Sequence, residues 1–103
     1  MNADSLAFLG KELFGRGARL IVATWVLHAS QPVFSQHQVV EGVRLPQSNV
    51  REELHRLVRL GLIADVPKAD GPGRRYYGRV DAHPAWGVIT AAEAAASAMV
   101  SPG

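Results

Sequence analysis

Between Gln47 and Arg59, the side chains of Gln47, Ser48, Asn49, Arg51, Glu52, His55 and Arg59 are candidates to hydrogen-bond to base edges or to phosphates. Side-chain amides pair bidentately with adenine, a guanidinium pairs with guanine, and a carboxylate accepts from the amine of cytosine. Gln47, Asn49 and Arg51 are therefore candidates for base edges, and Ser48 for a base or a phosphate. His55 and Arg59, two turns along, suit phosphates. Glu52 would accept from cytosine or repel wrong sequences. Without a ligand, the same residues make the polar face of an exposed helix. Asn49 would then be its cap, with Arg51 and Arg59 paired to Glu52 or His55.

A second basic set follows. Lys68, Arg74 and Arg75 flank Gly71-Pro72-Gly73, so they crown a turn from which a cation can enter a minor groove or grip the backbone. Charges at a hairpin tip also serve simply to discourage pairing with other chains. Tyr76 and Tyr77 point to opposite faces of a strand, one toward the core and the other toward a phosphate; Tyr77 is counted with the DNA-facing set. From Arg44 to Val80 eight basic residues stand against four acidic ones, a net +4 that leaves −2 for the rest of the chain. Such polarised charge is the footprint of a polyanion binder.

These residues need elements to hold them. Val50, Leu54, Leu57 and Val58 recur on one face of a helix from Pro46 to Leu60, with Ser48, Glu52, His55 and Arg59 opposite. Pro46 suits its first position and Gly61 its end. Just upstream, Ser35 and Gln38 make a capping box for a short helix that buries Val39, Val40 and Val43, with Phe34 before the cap and Gly42 stopping or bending its end. Leu6, Leu9, Leu13 and Phe14 predict an earlier helix over Ser5 to Phe14, broken by Gly15-Arg16-Gly17. Ala18 to Ala29 reads as a strongly apolar helix ended by Gln31-Pro32. After Gly61, Leu62 to Pro67 and Arg74 to Val80 read as strands joined by the turn from Lys68 to Gly73. His83-Pro84 opens a last helix that runs to Val100.

The architecture expected is mainly α with a small β-hairpin. The third and fourth helices form a helix-turn-helix and the hairpin is its wing. Residues 1–100 make one domain, with an N-terminal helix over 5–14 and a C-terminal helix over 84–100, and residues 101–103 fray as a tail. A length of 103 residues, 48% hydrophobic and 19% charged, suits one ordinary globular core. The absence of cysteine excludes disulfides, thiolate zinc sites and cysteine nucleophiles, and fits a reducing compartment. The apolar runs are too short to span a bilayer, and Asp4 stands where a signal peptide carries positive charge. A cytoplasmic location is expected, without membrane partners.

The ordered set of motifs resembles the winged helix-turn-helix transcriptional regulators of bacteria and archaea, of the broad ArsR-like and MarR-like kind. The resemblance covers about Glu12 to Trp86. It is carried by Leu13-Phe14-Gly15 with Ala18-Arg19-Leu20-Ile21, by Phe34-Ser35 with Val39-Val40-Glu41-Gly42, and by Ser48 to Leu54 with Leu57 and Leu60-Gly61-Leu62-Ile63. Arg75-Tyr76-Tyr77-Gly78-Arg79-Val80, followed by His83-Pro84, completes it. The segment Gly42-Val43-Arg44-Leu45-Pro46 departs from the pattern, being longer than the usual tight turn. The resemblance implies a sequence-specific, double-stranded DNA-binding regulator with its recognition helix in the major groove and its wing on the minor groove or backbone. It also implies a twofold homodimer through the first and last helices, for which Leu6, Leu9, Leu13, Trp86, Ile89 and Met99 are the candidates, and hence a palindromic operator. Repression is favoured because nothing resembles an activation surface, and a small-molecule effector at the dimer interface is possible. The alternative is a winged-helix protein–protein assembly module without sequence-specific DNA binding.

Other chemistry finds little support. Asp81-Ala82-His83 resembles half of a metal site near the last helix of some metal-sensing relatives, but Ala94 and Ser97 stand where further ligands belong. Capping the last helix is the simpler role for Asp81 and His83. No Ser, His and Asp set suggests nucleophilic catalysis, and neither Gly15-Arg16-Gly17 nor Gly71-Pro72-Gly73 has the strand-then-helix setting of a phosphate loop. No enzymatic activity, cofactor or metal is expected.

Overall fold

The computed structural model of the chain describes residues 3–67 and 75–99. Its elements run α1 (Ala3–Phe14), α2 (Gly17–His28), β1 (Val33–Ser35), α3 (Gln36–Val43), α4 (Gln47–Leu60), β2 (Ile63–Val66), β3 (Tyr76–Arg79) and α5 (Ala85–Ala98). None of these helices is long and apolar enough to cross a membrane.

Local chemistry sets several of the helix ends. The Ser35 hydroxyl accepts from the Gln38 backbone N–H, and the Gln38 side chain accepts in return from the Ser35 N–H at 2.8 Å. Two otherwise orphan donors are satisfied, so α3 begins where the strand stops. Pro46 precedes the first residue of α4, and Gly61 ends it with φ of 81°, a left-handed conformation that favours glycine. At the other end of the chain, the His83 ring Nδ1 accepts from Ala85 N–H and so starts α5.

Two expectations are corrected. Gly42 does not end α3; Arg44 does, at φ 56°. Gly42 is needed instead because the Trp25 indole lies across it. The second correction is β1. Three residues are too few to show alternation, yet Val33, Phe34 and Ser35 pair antiparallel with Gly78, Tyr77 and Tyr76. The sheet order is β1-β3-β2, so the expected hairpin is part of a three-stranded sheet with β3 central. Burial of Phe34 against Tyr77 drives this pairing; their rings are stacked at 6.0 Å.

The main core joins Val22 and Val26 of α2, Val39 of α3, Val50, Leu54 and Leu57 of α4, and Phe34, Ile63 and Tyr77 of the sheet. Trp86 closes it, with its indole N–H donating to the Val80 carbonyl at 3.0 Å. A smaller core of Leu6, Leu9, Leu20, Ala92 and Ala96 binds α1 and α5 to α2. The helix-turn-helix therefore sits on a platform made by the first two helices and the last.

Candidate nucleic-acid interface

Helix α4 has two distinct faces. Val50, Leu54 and Leu57 point inward and are buried. Gln47, Ser48, Arg51 and Arg59 are exposed, and Asn49, Glu52 and His55 are half-buried. Among the described residues, neither Arg51 nor Arg59 makes an ion pair or a side-chain hydrogen bond. Both guanidiniums therefore stand available to a polyanion. His55 is less available, because its Nε2 is enclosed with no hydrogen-bond partner among the described residues.

Glu52 is not paired with Arg51 or Arg59. Its Oε2 accepts from Arg16 Nη1 at 2.6 Å, and its Oε1 lies 3.6 Å from Arg56 Nη2. The hydrogen bond from Arg16 leads in holding the carboxyl below its usual pKa of 4.5, so it stays ionised at neutral pH. An acid that spacing alone places on the outward face is thus compensated from a distant part of the chain.

The neighbouring Glu53 escaped the sequence reading. It is 1% exposed, and its Oε1 accepts from Arg19 Nε at 3.1 Å, while Arg16 Nε lies 3.9 Å from its Oε2. Arg19 also donates to the Phe14 carbonyl. A signal existed: Glu53 stands three residues after Val50 and four before Leu57, inside the apolar stripe, where a carboxylate needs a cation. Arg16 and Arg19 supply it from the start of α2.

The wing is only partly described. Lys68, Arg74 and the Gly71-Pro72-Gly73 turn lie outside the described residues. Arg75 is exposed and its carbonyl accepts from Gln36 N–H at 3.2 Å, which ties the strand to the start of α3. Tyr77 does not face outward with it. The pleat turns it into the core opposite Phe34, fully buried, while Tyr76 on the other face is half-buried. Burial raises the Tyr77 pKa above the usual 10.0. The nearby Arg75 guanidinium opposes this, although no described group meets the hydroxyl at full hydrogen-bond geometry.

Arg79 also turns inward. Its Nη1 donates to the carbonyls of Val26, Leu27 and Ala29, and its Nε lies 2.5 Å from Asp81. It caps the C-terminal end of α2 and is removed from the basic surface that charge counting suggested. Asp81 and His83 are thus engaged separately, in an ion pair and a helix cap.

The residues expected at a dimer interface divide. Leu6, Leu9 and Trp86 are covered within the chain, so they hold α1 and α5 in place. Leu13 and Met99 are exposed and Ile89 is half-buried. Phe8 and Val88, which spacing did not single out, add further exposed apolar surface on the same two helices. Beside them, a cavity of about 380 Å³ opens between α2, α4 and α5, with apolar walls from Leu20, Leu57 and Ile89 and with Arg56 and Arg59 also lining it.

No family model and no curated protein matches the sequence. The fold, however, is that of a crystal structure of a MarR family transcriptional regulator from Streptomyces coelicolor, with a TM-score of 0.65 and 22% identity. The match covers 94% of this chain and 65% of that one, so the chain spans just under two thirds of the matched protein. The likeness establishes a winged helix-turn-helix fold.

Proposed function

We propose that the protein is a sequence-specific, double-stranded DNA-binding transcriptional regulator. The observation that carries this reading is the outward face of α4, where Gln47, Ser48, Arg51 and Arg59 are exposed and the two arginines have no ion-pair partner among the described residues. A helix of this width fits the major groove, and residues near its N-terminus reach base edges first. Arg75, with Lys68 and Arg74, would hold the flanking backbone.

The protein would act in the cytoplasm as a homodimer, and as a repressor by occupying its operator. Phe8 and Leu13 of α1, Val88 of α5 and Met99 just after it offer apolar surface for a second copy. Twofold pairing would set two α4 helices ~34 Å apart, matching palindromic half-sites. The cavity between α2, α4 and α5 would take a small, largely apolar effector, since its walls are mostly apolar, with Arg19, Glu53 and Arg56 among the polar groups that line it.

Selection of bound duplexes from a random library tests this reading. A single palindromic consensus, bound with an affinity that falls steeply as salt rises, is expected. Recovery of no consensus, with salt-independent retention of the library, would reject it.

A further inference from the structure

Arg16 lies in the corner between α1 and α2, 36 positions from Glu52 in sequence, yet makes the 2.6 Å ion pair with it. Its position is well determined, because its N–H donates to the Gly10 carbonyl and its own carbonyl accepts from Arg19 N–H. Arg19 is committed to Glu53 and to the Phe14 carbonyl, so it does not substitute. Arg56 approaches only the other carboxylate oxygen, at 3.6 Å. Both partners in the Arg16–Glu52 pair are about two-fifths exposed (40% and 43%), and pairs that wet add little to stability. Arg16 Nε also lies 3.9 Å from the buried Glu53, but that longer contact does not account for the 2.6 Å bond to Glu52.

Helical spacing supplies a reason for the pair. Glu52 is one turn after Ser48 and seven residues before Arg59, on the face that would meet DNA. An uncompensated carboxylate there would repel the phosphates nearest to it. We infer that Arg16 is a positioning residue for DNA binding: it holds and neutralises the Glu52 carboxylate, so that α4 meets the phosphates without a bare anion. The inference rests on the DNA-binding reading above. Arg16 acts here through Glu52 and makes no contact with DNA itself.

A double-mutant cycle on the full chain, binding its selected duplex, tests this. Coulomb repulsion between like charges at such range predicts that Arg16→Ala weakens binding roughly three- to ten-fold. Adding Glu52→Gln to Arg16→Ala should restore affinity to within about two-fold of Glu52→Gln alone, because the anion is gone. Arg16→Lys keeps the charge and should bind like the parent, which also guards against a misfolded alanine variant. If Arg16→Ala costs as much in the Glu52→Gln background as in the parent, or costs nothing in either, the inference is overturned. Failure of the parent chain to bind any duplex would overturn the DNA-binding reading and the inference with it; parental binding without rescue overturns the inference alone.

Discussion

The indole of Trp25 lies against the backbone of Gly42 so closely that a Cβ on Gly42 would fall 2.0 Å from the indole Nε1. This contact seats α3 on α2 and makes Trp25 part of the helix-turn-helix, with its ring edge-on to Phe34 at 5.6 Å. Helix propensity alone favours alanine over glycine in a helix interior by roughly 1 kcal/mol. Close packing of the indole on Gly42 predicts the opposite sign. Gly42→Ala should destabilise by about 1–3 kcal/mol, as overpacking does, because a ring must move. Urea unfolding of the two proteins decides between them.

Arg79 should behave as a structural residue despite its place in a basic segment. Arg79→Met removes charge-assisted hydrogen bonds to the end of α2, and a loss of roughly 2–3 kcal/mol is expected. Arg79→Lys should recover little, since an ammonium cannot reproduce the guanidinium fork. Denaturant midpoints measure both.

The two partners of the buried ion pair should not cost the same. Arg19→Met leaves Glu53 at 1% exposure, with Arg16 still 3.9 Å away. Glu53→Met leaves Arg19 at 30% exposure, able to turn toward water. Stranding the buried charge is the expensive alternative, so Arg19→Met should be less stable than Glu53→Met. Equal unfolding midpoints would contradict this.

Tyr77→Phe removes a buried hydroxyl without a well-formed hydrogen bond among the described residues, so stability at neutral pH should be unchanged or higher. The pH dependence follows from the raised pKa. Below pH 10 both states of the parent keep the phenolic proton; above it the unfolded chain ionises first, and stability falls as pH rises toward the folded pKa. Thermal melts of the parent should therefore drop through alkaline pH more steeply than those of Tyr77→Phe. Its affinity for DNA should not change, because Tyr77 is in the core.

Arg51 and Arg75 should separate base reading from backbone grip. Arg51→Ala should relax the selected consensus at one position, at a cost of roughly 1–3 kcal/mol on the preferred sequence. Arg75→Ala should weaken binding to all duplexes alike and lower the salt slope by about one. Quantitative binding to the consensus and to scrambled duplex distinguishes these patterns.

Much of this protein is written locally. Ser35 with Gln38, Pro46, Gly61 and the Val50-Leu54-Leu57 stripe each act within a few residues, so the order of helices and the inward face of α4 follow from the chain as a string. Capping, proline geometry and helical periodicity are short-range physics, and short-range physics is legible in sequence. The tertiary structure alone decided which charges are spent. Arg16 and Arg19 reach Glu52 and Glu53, Arg79 turns in to cap α2, Tyr77 goes to the core, and Val33 to Ser35 find the edge of β3. None of these contacts has a periodic signature, because each joins residues brought together by packing across tens of positions. Composition counts eleven lysines and arginines. Only the folded arrangement distinguishes the cations consumed in holding the domain together from those, such as Arg51 and Arg59, left facing outward.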